Sequence, residues 1–258
     1  MKKLMALLLA VAMVASLTAC GSKAEDASTG AANGTITFAT NAEFPPFEFI
    51  TSNGVLGEFD GIDMAMAKMI AEDNGMEAKM ENMEFDSLLI ALQNGQIDAV
   101  IAGMTVTDER KETVDFTNSY YEAVQYVILP ADSEIATADD LKDKAIGVQL
   151  GTTGDFIAEE LTSNVSQYNK AVDAVNDLVN GRVDLVIIDK NPALVFENKF
   201  EGQVVAVDGA QFGFEPEEYA IALPKGDTAL ADQINAAIDE LKADGTFDEL
   251  VKTYIEAE

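Results

Sequence analysis

Histidine is absent from the 258 residues, and cysteine occurs once. Without histidine the chain can build neither a Ser-His-Asp nor a Cys-His catalytic set, nor a histidine metal site. Many enzyme classes fall at that step. A lone cysteine excludes an intrachain disulfide, so the folded part must be held by its core. The length fits one large or two modest domains. Basic residues are also scarce: 16 Lys and Arg stand against 46 Asp and Glu, a formal charge of −30. That balance argues strongly against nucleic acid as a partner and disfavours direct docking on an anionic bilayer. It names no ligand, since acidic surfaces are common solubility devices. Long apolar runs are missing except near the start, where Leu4 to Leu17 is almost unbroken. At about 14 residues, that run is too short to span a bilayer comfortably.

What is present at the start reads as an export signal. Lys2 and Lys3 precede the apolar run, and small residues follow it before a break. This is the pattern of a secretory signal over residues 1–19. The break, Leu17-Thr18-Ala19-Cys20-Gly21, resembles the bacterial lipobox, in which the cysteine becomes the lipid-bearing first residue of the mature protein. An ordinary signal with an incidental cysteine is the alternative, but Cys20 is the only cysteine and sits where the lipobox needs it. Gly21 to Gly34 is rich in Ser, Ala, Gly, Thr and Asn without hydrophobic period, so residues 20–34 are expected to be a flexible tether. The expected location is outside the cytoplasm, anchored by the Cys20 lipid to the outer face of the cell membrane, or in the periplasm. With no membrane span in the mature chain, transport would require a separate permease.

From Thr35 onward, short β-rich runs alternate with helical patterns, which predicts an α/β fold with largely parallel sheets. Ile36 to Thr40 reads as a strand. Gly61 to Asn74 reads as a helix with Ile62, Ala65, Met66, Met69 and Ile70 on one face, Asp60 as its N-cap and Gly75 as its stop. Its methionines are most simply core filler. Asp86 is expected to open a second helix that closes at Asn94-Gly95. A repeat then emerges. Asn94-Gly95-Gln96-Ile97-Asp98-Ala99-Val100-Ile101 returns as Asn180-Gly181-Arg182-Val183-Asp184-Leu185-Val186-Ile187. More loosely, Ile36 to Thr40 matches Ala145 to Gln149, each running into a polar loop and a helix. Two similar lobes are therefore expected.

Ligands of open parallel sheets bind beyond the carboxyl ends of the strands. In facing lobes, the loops Asn41 to Phe47, Gly103 to Arg110, Leu150 to Asp155 and Asp189 to Pro192 would line one cleft. Gly103 permits close approach to the backbone, and Thr105 offers an N–H and a hydroxyl. Arg110, the only arginine besides Arg182, offers a planar fork for a carboxylate; pairing with Asp108 or Glu112 on a surface helix is the alternative. Asp189 suits an ammonium group, or else caps the following helix. Gly151-Thr152-Thr153-Gly154 precedes a helix whose N–H groups could receive an anion, or is a plain threonine cap. Together these groups form a clamp for a zwitterion, with Phe44 and Phe85 as side-chain walls or as core.

The resemblance carried by Ala39-Thr40-Asn41-Ala42-Glu43-Phe44-Pro45-Pro46-Phe47-Glu48-Phe49, by Gly57 to Asp63, by Ala102 to Arg110, by Gly147 to Gly154 and by the tail Ala243 to Phe247 is to the polar amino-acid-binding proteins of ABC importers. It runs from about Thr35 to Tyr254. It implies a two-lobed periplasmic-binding-protein-like fold of type II, each lobe a mixed, largely parallel sheet flanked by helices, joined by two crossover segments. Lobe 1 would hold 35–119 plus 219–258, and lobe 2 would hold 120–218. By matching position, Arg110 takes the α-carboxylate, helped by the N–H groups of Thr105 and Thr153. Gly103, Thr105 and Asp189 take the α-ammonium, and Phe44 and Phe85 sandwich the side chain. Asn41, Glu43 and Gln149 stand where members vary with ligand; several cationic amino-acid binders carry an acid where this chain has Asn41. Two phenylalanine faces, acceptors at Glu43, Asn41 and Gln149, and an acidic body make arginine or lysine the first expectation and glutamine or another neutral polar residue the second. The implied protein is a monomer that uses no cofactor and is not an enzyme. Two alternatives stand: a prephenate or arogenate dehydratase on the same fold, with Glu43 as general acid, or a sensor presenting its ligand to a receptor.

Overall fold

The computed structural model describes residues 34–255. The apolar run Leu4 to Leu17, Cys20 and all but the last residue of the tether lie outside that range. Two five-stranded sheets carry the architecture. In the first, the spatial order is Glu77–Asn82, Thr35–Thr40, Ala99–Val100, Ala222–Pro224, Val114–Phe116. In the second it is Val165–Tyr168, Ile146–Gln149, Leu185–Asp189, Gln125–Pro130, Val204–Asp208. The first three strands of each order run parallel. The fourth runs antiparallel to both neighbours.

The fourth strand is where the two lobes depend on one another. Gln125–Pro130 enters the second sheet directly after the short strand Tyr121–Ala123, and Ala222–Pro224 enters the first directly after Glu217–Tyr219. Those two short strands pair with each other, Tyr121 opposite Tyr219 and Ala123 opposite Glu217. The fourth strand of each sheet is thus the first that the chain forms after a crossing, and the two crossings pair in one antiparallel joint.

The sequence repeat has a physical basis. In the first lobe Asp98 accepts from the Thr37 N–H at 2.8 Å and returns its own N–H to the Thr37 carbonyl at 2.8 Å. In the second, Asp184 accepts from Ala145 N–H at 2.9 Å and returns its own to the Ala145 carbonyl at 2.7 Å. In both lobes the aspartate after the Asn-Gly stop locks the incoming parallel strand to the first strand. Gly95 and Gly181 sit at φ 66° and 69°, a left-handed turn that glycine adopts without a Cβ penalty.

The helix expected at Gly61 to Asn74 spans Ile62–Asp73. Of the expected stripe Ile62, Ala65, Met66 and Ile70 are buried and Met69 is half-buried, and Asp63, Met64 and Ala67 are buried too, because the helices Thr228–Ala243 and Thr246–Ile255 also pack on it. The N-cap is Gly61, not Asp60. A Cβ at Gly61 would run into the Phe47 carbonyl, so the close approach of two segments fixes glycine there. Asp60 instead accepts from the Tyr254 hydroxyl at 2.5 Å. The second helix begins as a 3₁₀ turn over Phe85–Ser87 and continues as Leu88–Gln93.

The repeat yields a stability prediction. Asp98 is 7% exposed whereas Asp184 is exposed. Leaving a buried N–H without its partner costs about 1–3 kcal/mol, so Asp98→Ala is expected to lower unfolding free energy by that amount. Asp184→Ala, where water can replace the carboxylate, is expected to cost less than about 1 kcal/mol. Urea denaturation of the two variants beside the parent checks the order; equal costs would contradict it.

Candidate functional site

The carboxyl ends of the parallel strands of both sheets converge on one small cavity. Nine of the ten residues expected to bind ligand line it: Asn41, Phe44, Phe85, Gly103, Thr105, Arg110, Gln149, Thr153 and Asp189. Glu43 is not among the lining residues. Its carboxylate pairs with Lys170 of the other lobe at 2.6 Å, which places it in a contact between lobes rather than in the wall.

Arg110 belongs to the short helix Asp108–Thr113, capped by the Thr107 hydroxyl, which accepts from the Arg110 N–H at 3.1 Å. The surface ion pair on this helix is Lys111 with Asp108; Arg110 turns inward and is 7% exposed. Nη1 donates to the Thr105 carbonyl at 2.6 Å and Nη2 to the Gly151 carbonyl of the opposite lobe at 3.0 Å. The guanidinium also lies 5.5 Å from the centre of the Phe85 ring. Two of its five N–H donors are spent on carbonyls, so the fork is held in plane with donors to spare. Burial lowers its pKa to about 10, against the pull of Glu217 and Asp189, and it stays charged at neutral pH.

Asp189 ends the strand Leu185–Asp189 and precedes the helix Lys190–Lys199, but its side chain makes no capping bond. Its Oδ1 accepts from the Tyr219 hydroxyl at 2.6 Å. Burial raises its pKa, and the neighbouring Glu217 raises it further. The threonine cap of the helix Thr153–Leu161 is Thr152, which accepts from Asp155 N–H. Thr153, the first helical residue, is left for other work. Gly103 sits at φ 51°, and a Cβ there would press on the Phe44 ring. At the far side, Gln149 Nε2 donates to Asn41 Oδ1 at 2.9 Å across the lobes, and Asn41 Nδ2 donates to the Met83 carbonyl. Gln149 also donates to the Asn169 carbonyl at 3.0 Å, so both its N–H groups are committed and its oxygen is what it has left to offer, while Asn41 keeps one N–H and one lone pair.

The floor is more acidic than expected. Glu48 lines the cavity at 1% exposure with no hydrogen-bond partner for either oxygen. Beside it, the fully buried Asp63 accepts from Gly103 N–H at 2.8 Å and the Tyr120 hydroxyl at 2.9 Å. Burial raises the Glu48 pKa well above its ordinary value, and repulsion from Asp63 adds to this. Burial likewise raises Asp63 to about 6, against the hydrogen bonds from Gly103 and Tyr120. Two adjacent buried carboxyls do not both ionise readily.

The model of the bacterial extracellular solute-binding proteins, family 3, matches residues 36–257. This chain belongs to that family. Similar proteins include a probable histidine-binding protein of Neisseria gonorrhoeae, 33% identical over 100% of this chain and 97% of that one. An L-arginine-binding protein of Pseudomonas aeruginosa is 38% identical, with 88% of this chain and 90% of the relative covered. Among solved structures, an ancestral arginine-binding protein bound to arginine shares 37% identity at a TM-score of 0.79, covering 86% of this chain and 98% of that one. The fold of this family 3 protein is the two-lobed, type II periplasmic-binding-protein arrangement.

Sequence reasoning passed over several groups of this solute-binding site: Glu48, Asp63, Gln125, Glu217 and Tyr219. Two of them had a visible signal. Glu48 is an acid inside the run Phe44-Pro45-Pro46-Phe47-Glu48-Phe49-Ile50, and Asp63 interrupts Ile62-Asp63-Met64-Ala65-Met66. A lone acid in an apolar run is a candidate for burial. Glu217 carries no such signal, because it stands among Glu215 and Glu218 in an acid-rich chain.

The acids set a pH dependence for the ligand-free solute-binding protein. The pKa values of Glu48, Asp63 and Asp189 are all raised. Each therefore contributes stability that is full below its unfolded pKa, near 4, and is lost as pH rises toward its folded value. A buried acid that keeps its proton while the unfolded chain loses it costs about 1.4 kcal/mol per pH unit. Glu48→Gln removes one such group with little change of shape, so its stability is expected to fall less than the parent's between about pH 4 and about pH 7. Melting curves across that range test this; parallel curves would show that Glu48 ionises normally.

Proposed function

We propose that this protein captures a polar L-amino acid in the cavity between its lobes and delivers it to the permease of an ABC importer. The observation that carries the reading is one interlobe cavity lined by a buried arginine from one lobe and a strand-end aspartate from the other. An α-amino acid presents the two opposite charges on neighbouring atoms, and few other metabolites do. Arg110, with the N–H groups of Thr105 and Thr153, takes the α-carboxylate. Asp189, Thr105 and Gly103 take the ammonium, while Phe44 and Phe85 flank the side chain. The lobes divide at about residues 119/120 and 218/219, and the protein acts as a monomer. Binding without catalysis is supported by the relatives' names and by the position of Glu43: held by Lys170 outside the wall, it is poorly placed as a general acid.

Arginine or lysine is the first choice of side chain, glutamine or another neutral polar residue the second. The Gln149 oxygen suits a donor-rich tip, and the excess of carboxyls over the single Arg110 favours a ligand with net positive charge. Relatives named as arginine-binding proteins support the first choice, and a relative named as a glutamine-binding protein the second.

Because each charge grips the ligand backbone, each matters for every amino acid bound. Truncating one partner of a buried charge pair costs about 2–5 kcal/mol. Arg110→Ala is therefore expected to weaken binding roughly thirtyfold or more, and Arg110→Lys also, since a point charge cannot reproduce the fork. Asp189→Asn is expected to weaken amino acids more than analogues lacking the amine. A thermal-shift screen of the twenty amino acids picks the ligand, and calorimetric titration of the three variants follows. Near-parental affinity in both Arg110→Ala and Asp189→Asn would sink the clamp.

The export reading belongs to the same proposal. Cys20 is the lipidated residue, and residues 20–34 tether the folded body to the membrane. In a bacterial host the parent is expected to partition with membranes and carry lipid mass, and Cys20→Ala to be unprocessed or released. A wholly soluble parent without lipid would reject the anchor and leave the binding proposal standing.

A further inference from the structure

Glu217 lies on the crossover strand Glu217–Tyr219, behind the cavity wall, and is half-buried. One of its oxygens, Oε2, accepts from the Thr105 hydroxyl at 2.7 Å and from the Thr153 hydroxyl at 2.8 Å. Thr105 belongs to the first lobe and Thr153 to the second, so one carboxylate oxygen bridges both lobes from the hinge side. Gln125, 1% exposed, completes the group: its Nε2 donates to Thr153 Oγ1 at 3.2 Å and to Glu217 Oε2 at 3.4 Å.

These bonds fix more than position. A hydroxyl has one proton and two acceptor lone pairs. With their protons committed to Glu217, Thr105 and Thr153 can present only lone pairs to the cavity they line. Thr105 keeps both, while Thr153 has given one to Gln125. A lone pair accepts from an ammonium and offers nothing to a carboxylate. We propose that Glu217 is a positioning residue for the amino-acid ligand: by taking the threonine protons it makes these two hydroxyls acceptor-only, so that they favour the ammonium end of a zwitterion over its carboxylate. The inference rests on the amino-acid reading above and adds to it a group that need not touch the ligand.

Without Glu217 the hydroxyls rotate freely, donate to either ligand end and lose the distinction. The test is titration of L-arginine and L-glutamine beside their des-amino analogues, into the parent, Glu217→Ala, Glu217→Gln and Thr105→Val, and into Glu217→Ala combined with Thr105→Val. Melting curves of the ligand-free proteins establish that each is folded. Glu217→Ala is expected to weaken the amino acid about tenfold and its des-amino analogue much less, as for loss of a charge-assisted hydrogen bond. Glu217→Gln keeps an acceptor oxygen at the same reach and is expected to fall between parent and Glu217→Ala. In the Thr105→Val background most of the Glu217→Ala effect is expected to vanish, since the main hydroxyl it orients is gone. The inference is overturned if Glu217→Ala weakens both ligand classes alike or neither, if Glu217→Gln is as weak as Glu217→Ala, or if the effect persists undiminished in the double variant. Those last two results would mean that the charge acts through space. A parent that binds neither amino acid but binds others in the screen is titrated with those and their des-amino analogues. A parent that binds none overturns the amino-acid reading itself, and this inference with it.

Discussion

The antiparallel joint between Tyr121–Ala123 and Glu217–Tyr219 is the constraint from which the rest of this molecule follows. In each sheet the fourth strand is the one by which the chain enters that lobe on crossing over. The second sheet is built from one continuous stretch between the crossings, whereas the first is complete only when the return crossing brings in Ala222–Pro224. Because the two crossings lie side by side at one end, the carboxyl ends of the parallel strands of both sheets face each other across the same gap. A cleft lined by four loops is the direct consequence.

The same joint supplies chemistry. Tyr219 and Glu217 are strand residues of the crossover, and their side chains reach Asp189, Thr105 and Thr153. Residues that hold the lobes together also aim the groups that face the ligand. The contacts Arg110 to Gly151, Gln149 to Asn41 and Lys170 to Glu43 span the lobes as well. Around the cavity the lobes meet through polar, directional contacts, while Phe47, Tyr121 and Tyr219 pack their rings together at the joint.

Burying an arginine and several acids around one small cavity opposes folding. The raised pKa values of Glu48, Asp63 and Asp189 are the signature of that cost. It is tolerated because buried apolar clusters hold the sheets: one runs from Ile36, Phe38 and Ile101 through Tyr120 and Tyr219 to Val186 and Phe196, and another gathers Ile146, Val148 and Ile187.

The sequence by itself determined the local elements and the repeat. Apolar periodicity, glycine stops and the Asn-Gly-x-apolar-Asp signature depend on neighbours only a few residues away, and the strands and helices stand close to where that pattern places them. It also placed nine of the cavity residues, because strand ends in a parallel sheet are legible from the order of elements and the family motifs sit on them. Only the tertiary structure decided the rest. Gly61 displaces Asp60 as a cap because Phe47, distant in sequence, presses on it. Glu43 leaves the wall because Lys170, 127 positions away, reaches it first. Glu217 joins the site because an antiparallel strand returns it to Thr105, 112 positions earlier. In a chain this rich in acids, a carboxylate has no distinguishing mark in one dimension. Its role is set by which hydroxyls, cations and buried surfaces the fold brings within hydrogen-bonding reach.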